Sequence, residues 1–111
     1  MAQITYDDFE RINIHTGKII KVEDFTEARK PAYRLWIDFG DLGIKKSSAQ
    51  ITKLYDKDEL VGRLILAVTN FPPRQIAGFM SEVLLLGVVL DGGEVVLVQP
   101  ERHVPLGRRV L

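Results

Sequence analysis

The segment "IHTGKIIKVEDF", Ile14 to Phe25, decides the fold. Its apolar residues change face partway along. Ile20 and Val22 share one parity of a β-strand, and Ile19 falls on the other. Gly17 stands just before them. A strand that switches face near a glycine is bulged and strongly curved. A curved first strand of this kind belongs to a small barrel.

The flanks extend that reading. Upstream, Thr5 precedes Asp8, Phe9 and Ile12, an N-cap with an acidic first turn, which predicts a short helix over residues 6–11. Downstream, "TEARKPA" is a polar connection ending near Pro31. In "YRLWIDFG", Tyr33, Leu35, Ile37 and Phe39 point one way, and Arg34, Trp36 and Asp38 the other. "GDLG" (Gly40 to Gly43) is a hairpin turn, and "IKKSSAQI" is the returning strand. A short helix follows through "TKLYDKDELVG", closed by Gly62. "RLILAVT" is wholly apolar and reads as a strand buried on both faces. The chain leaves the sheet at Pro72 and Pro73, which lack an N–H. "VLLLGVVL", the turn "DGG" and "EVVLVQP" make a last hairpin. The sum is an all-β chain, a five- to six-stranded Greek-key barrel of OB type with short helices, forming one domain over residues 1–111.

Composition narrows the function. The 111 residues suit one core without staples. Cysteine is absent, which removes disulfides and thiolate metal sites and fits a reducing compartment. No leader and no membrane-length apolar run is visible, so a cytoplasmic protein without membrane insertion is expected. Lys plus Arg (15) balance Asp plus Glu (15), unlike a strongly basic nucleic-acid binder. His15 and His103 lack metal-ligand spacing. Ser47, Ser48 and Ser81 lack a nucleophile's context. Neither glycine-rich turn opens a helix, so a phosphate loop is missing too. The expectation is a binding protein without cofactor rather than an enzyme.

Two surfaces could bind. Lys45, Lys46, Ser47 and Ser48 lie on the strand beside Arg34 and Trp36, a mixture of cations for phosphate, hydroxyls and an aromatic face for a base that suits a nucleic acid. Lys18 adds a cation on the first strand. Trp36 equally fits a covered barrel edge or an interface. The second surface is "NFPPRQIAGFMSE". Its Arg74 could fork onto a phosphate or carboxylate, or pair with Glu82 to pin the loop. Phe71, Phe79 and Met80 are either apolar rim groups for a peptide or core.

That stretch also carries a resemblance. Asn70, Pro73, Arg74, Gly78 and Ser81 resemble the N-x-x-P-R-x-x-x-G-x-x-S signature of tRNA-binding domains, OB-fold modules found alone or attached to aminoacyl-tRNA synthetases. "FPPRQIAGFMSEVLLLG" and "IDFGDLGIKKSSAQIT" are similar to the CsaA-type secretion chaperones, a branch of that family. The resemblance implies an OB fold, a homodimer, binding of tRNA, and binding of unfolded or exported polypeptides in connection with the secretion machinery. It places the site on Ser47, Ser48, Asn70, Arg74 and Ser81. The sequence departs from the family where basic residues often follow the Pro-Arg pair; here stand Gln75 and Ala77. Where the family commonly has Ser-x-Gly-Met, this chain has Ser81-Glu82-Val83-Leu84, and Glu82 opposes phosphate, so tRNA binding and its salt dependence should be weakened. Apolar groups at the chain ends, namely Phe9, Ile12, Val104, Leu106, Val110 and Leu111, either cap the barrel or form a two-fold dimer interface.

Overall fold

The computed structural model describes all residues, 1–111. In chain order it contains α1 (Tyr6–Glu10), β1 (Ile14–Asp24), β2 (Tyr33–Asp38), β3 (Ile44–Ala49), α2 (Lys57–Leu60), β4 (Leu64–Val68), β5 (Arg74–Ile76), β6 (Phe79–Ser81), β7 (Leu84–Leu85), β8 (Gly87–Val89) and β9 (Val95–Leu97). Thr5 caps α1: its hydroxyl accepts from Asp8 N at 3.1 Å, and the Asp8 carboxylate accepts from Thr5 N at 3.0 Å. No helix is long and apolar enough to cross a membrane.

β1 organises everything else. It pairs antiparallel with β2 on one side and with β4 on the other. Its register slips between Ile19 and Lys21, which is the bulge expected from the face change. Gly17 is required by packing: a Cβ there would stand 2.7 Å from both Ile37 Cγ2 and Phe39 Cε1. The curved β1 brings β2, β3, β4 and β7 around in the order β3-β2-β1-β4-β7. Residues 82 and 83 close the gap, donating from Glu82 N and Val83 N to Lys46 O at 2.8 and 3.3 Å. The result is a nearly closed five-stranded antiparallel barrel of OB type. Ile19, Leu35, Ile37, Phe39, Leu60, Ile65 and Ala67 are fully buried inside it.

Three elements differ from expectation. The second helix spans only Lys57–Leu60, because Asp56 and Glu59 form a capping box that starts it there. β4 is fully covered on one face, where Ile65 and Ala67 are buried; on the other Val68 is buried, while Leu64 and Leu66 are partly exposed. The last hairpin is broken. β7 stays on β4 and Leu86 N still donates to Leu66 O at 2.9 Å, but from Gly87 onward β8 pairs with β9 alone. Val88 and Val89 on that projecting hairpin are exposed.

Candidate binding groove

The segment after Pro72 and Pro73 is a hairpin, β5–β6, laid against the barrel wall. Its turn is Ala77-Gly78, with φ of 47° and 81°, the two left-handed residues that a type I′ turn needs. Gly78 adopts this freely and Ala77 under strain. Phe79 is buried and meets Trp36 edge-on at 5.7 Å and Phe25 at 5.5 Å between ring centroids. Ala28, Ala32 and Ile76 complete a small second core outside the barrel. Cations roof it. The Arg34 guanidinium lies 5.5 Å from the Phe25 ring and 5.8 Å from that of Phe79, and pairs with Glu23 at 3.2 Å. Lys46 sits 5.2 Å over Phe79, and Lys21 4.5 Å over Trp36.

This packing sorts the expected site residues. Phe79, Trp36 and Arg34 hold the hairpin down; Phe79 is core rather than rim. The strip on β3 is divided by the two-residue period. Lys46 and Ser48 lie opposite Trp36 and Arg34, whereas Lys45 and Ser47 lie opposite the core residues Ile37 and Leu35. Ser47 is fully buried and donates to Val83 O at 2.9 Å, so it offers nothing to a ligand. Lys18 is opposite Asp38 and Leu64, at the other end of β2 from Arg34.

Several signature positions build the loop. Asn70 accepts from Asn13 N at 2.9 Å and donates to Arg11 O at 2.7 Å, tying the hairpin's entry to the end of α1. Ser81 Oγ accepts from Ser48 N at 3.1 Å. Glu82 does not pair with Arg74; its Oε1 accepts from Lys46 N at 3.0 Å. That bond helps seal the barrel and partly satisfies the acid that was expected to oppose phosphate.

Arg74 is different. It is exposed, and no ion pair or side-chain hydrogen bond engages it. It stands between two hollows. One, of about 430 Å³, has apolar walls from Phe71, Pro72, Ile76, Val83 and Leu84, with Ser48, Ser81 and Glu82 at its polar side. The other, of about 490 Å³, is lined by Arg29, Lys30, Glu27 and Gln50 together with small side chains. Ser48, Arg74 and Ile76 belong to both, so the two form one bipartite groove. A further hollow of about 450 Å³, near Arg63, Arg102 and His103, mixes cations with Glu59 and Glu101 and contains no signature residue. Met80 is exposed and sits opposite Gln75 on the hairpin.

Sequence reasoning missed Arg29, Lys30, Gln50, Ile76 and Leu84. The cations of "TEARKPA" were visible as a polar connection, but nothing local says that this loop folds back beside Arg74. Of the apolar chain-end groups, Ile12 and Leu111 are exposed, while Phe9, Val104, Leu106 and Val110 are half-buried. The tail runs along β1, with Thr16 N donating to Arg108 O at 2.9 Å and Val110 N to Ile14 O at 2.8 Å.

Comparison with known proteins agrees with this fold. Residues 14–109 match the family described as "Putative tRNA binding domain". The chaperone CsaA from Bacillus anthracis str. Ames superposes with a TM-score of 0.95 at 50% identity, covering 99% of this chain and 100% of that one. The CsaA chaperone protein from Picrophilus torridus gives 0.91 at 54% identity, covering 98% and 100%. Methionine–tRNA ligase from Pyrococcus abyssi is 35% identical over 107 residues, 96% of this chain. The chain spans only 14% of that ligase's length. With the barrel, the hairpin and the signature residues in place, the chain belongs to the tRNA-binding-domain family and most resembles its CsaA-type members among these relatives.

Proposed function

We propose that this protein is a non-catalytic, CsaA-like chaperone that binds unfolded or export-destined polypeptides in the groove at Arg74. The observation that carries the reading is the groove's composition. Phe71, Pro72, Ile76 and Leu84 supply apolar walls beside one unpaired guanidinium. Such a surface takes an apolar side chain and orients it by a single polar contact. The balanced net charge argues against a polyanion as the main ligand. The likeness to proteins named as CsaA chaperones supports the same reading. A cytoplasmic location and a link to the secretion machinery belong to this proposal.

A second reading is favoured by a separate observation. Arg29, Lys30 and Arg74 line the other half of the groove, and cations so placed suit a phosphate backbone. Membership of the tRNA-binding-domain family supports it. On this reading the protein binds tRNA by shape, with few base contacts.

We further propose a two-fold dimer that covers exposed apolar residues at the chain ends, including Ile12 and Leu111. Its mass in solution at micromolar concentration tests this; a monomer contradicts it.

The test of the main reading is suppression of aggregation of a chemically unfolded protein. Phe71 is exposed, so Phe71→Ala leaves the fold intact. It should weaken suppression severalfold and leave tRNA affinity within about twofold, a loss of order 1 kcal/mol for partly burying that ring. Equal suppression by folded Phe71→Ala and wild type contradicts the placement.

A further inference from the structure

β5 is an edge strand. It pairs with β6 alone, in a two-stranded sheet. The tight Ala77-Gly78 turn fixes which backbone groups are used. Ile76–Phe79 and Arg74–Ser81 are the hydrogen-bonded pairs of the ladder, and Gln75–Met80 lies between them as the non-hydrogen-bonded pair. The N–H and C=O of Gln75 therefore point away from β6, along the free edge. No backbone hydrogen bond from a turn, loop or neighbouring element reaches Gln75. The residue is exposed. On the same strand, Arg74 and Ile76 line both halves of the groove.

We propose that the β5 edge captures an extended polypeptide by strand addition, with the backbone of Gln75 donating one hydrogen bond and accepting another. This deepens the polypeptide reading above and rests on it. Only a polypeptide offers an N–H and a C=O at the spacing that a strand edge pairs with. Backbone pairing is indifferent to side chains, which suits unfolded clients of many sequences. Side chains on one face of the added segment would lie on the side of Arg74 and Ile76, next to the hollows that those two residues line, and the others would face solvent. Pro72 and Pro73 bar longer pairing at one end, because neither carries an N–H, and the turn ends β5 at the other. The same two features keep copies of this chain from zipping edge to edge. Capture limited to one residue's pair of bonds is short and reversible.

The test uses the full chain and a reduced, carboxymethylated polypeptide as probe. Gln75→Pro removes the outward N–H without breaking a hydrogen bond of the hairpin, and Gln75→Ala keeps it. Gln75→Pro should bind the probe about tenfold more weakly, as expected for one lost hydrogen bond. Gln75→Ala should bind as wild type does. Amide exchange at Gln75 in the wild-type protein, which needs no variant to fold, should slow on adding the probe. Unchanged exchange at Gln75 with the probe bound, or full affinity in a folded Gln75→Pro, overturns strand addition and leaves the groove reading intact. No binding of the probe by wild type overturns both. Slowing of Gln75 exchange by bulk tRNA to the same degree also overturns strand addition, since RNA cannot pair with the edge.

Discussion

Arg74 and Asn70 are both signature residues, and the structure gives them different work. Asn70 spends its side chain on Asn13 and Arg11, while the Arg74 guanidinium has no ion pair or side-chain hydrogen bond within the chain. Asn70→Ala should therefore lower unfolding stability by about 1–2 kcal/mol, the scale of two partly exposed hydrogen bonds. Arg74→Ala should leave the denaturation midpoint unchanged and weaken ligand binding. Denaturant melts and a binding titration on both variants check this. His15 gives a pH signature. Partial burial and then the nearby Arg109 charge hold its pKa below the usual 6.5. Its Nδ1 lies 2.8 Å from Thr69 Oγ1. The unfolded chain thus binds the proton at higher pH than the folded one. Stability should be level above about pH 6.5 and fall as pH drops through that value towards the lower folded pKa. His15→Asn should flatten that fall. A slope that persists in the variant assigns it to other groups.

The hairpin β5–β6 shows what a sequence can and cannot disclose about an element. "NFPPRQIAGFMSE" was legible as a departure from the sheet, because two prolines cannot stay in a ladder. Its strands were not legible. Each has three residues, too few for periodicity, and Ala-Gly is a weak turn signal beside Asn-Gly. Ala77 carries a φ of 47°, so Ala77→Gly should relieve about 1 kcal/mol of strain, partly offset by chain entropy, and Ala77→Asn should stabilise without that offset. Melting temperatures rank the variants; an Ala77→Asn less stable than wild type contradicts the turn assignment. β1 is legible in the sequence for a physical reason. A face change within one strand has few solutions, and the bulge between Ile19 and Lys21 is one of them. Gly17→Ala should cost about 1–3 kcal/mol through overpacking against Ile37 and Phe39. On β3 the two-residue alternation separates Lys45 and Ser47 from Lys46 and Ser48, so the four do not form one strip.

At the scale of the whole molecule, the barrel was legible and the groove only half so. Alternating apolar residues and turn glycines dictate the sheet. The groove depends on loops that meet from distant parts of the chain: residues 26–31 after β1, the end of β3, and the β5–β6 hairpin. Local sequence does not encode such meetings. The same distribution explains how one surface can suit two ligand classes. Its apolar half favours a polypeptide and its cationic half a phosphate backbone, and Arg74 serves both. Ligands that share one guanidinium should compete. The most direct measurement is therefore a titration of the wild-type protein and Arg74→Ala with a labelled unfolded polypeptide, at several salt concentrations, with bulk tRNA as competitor. The account predicts polypeptide binding that changes little with salt, is weakened in Arg74→Ala, and is displaced by tRNA only at low ionic strength. Polypeptide binding that is absent, or that is unaffected by Arg74→Ala, while tRNA binds tightly with a steep salt slope, would contradict it and make RNA the principal ligand.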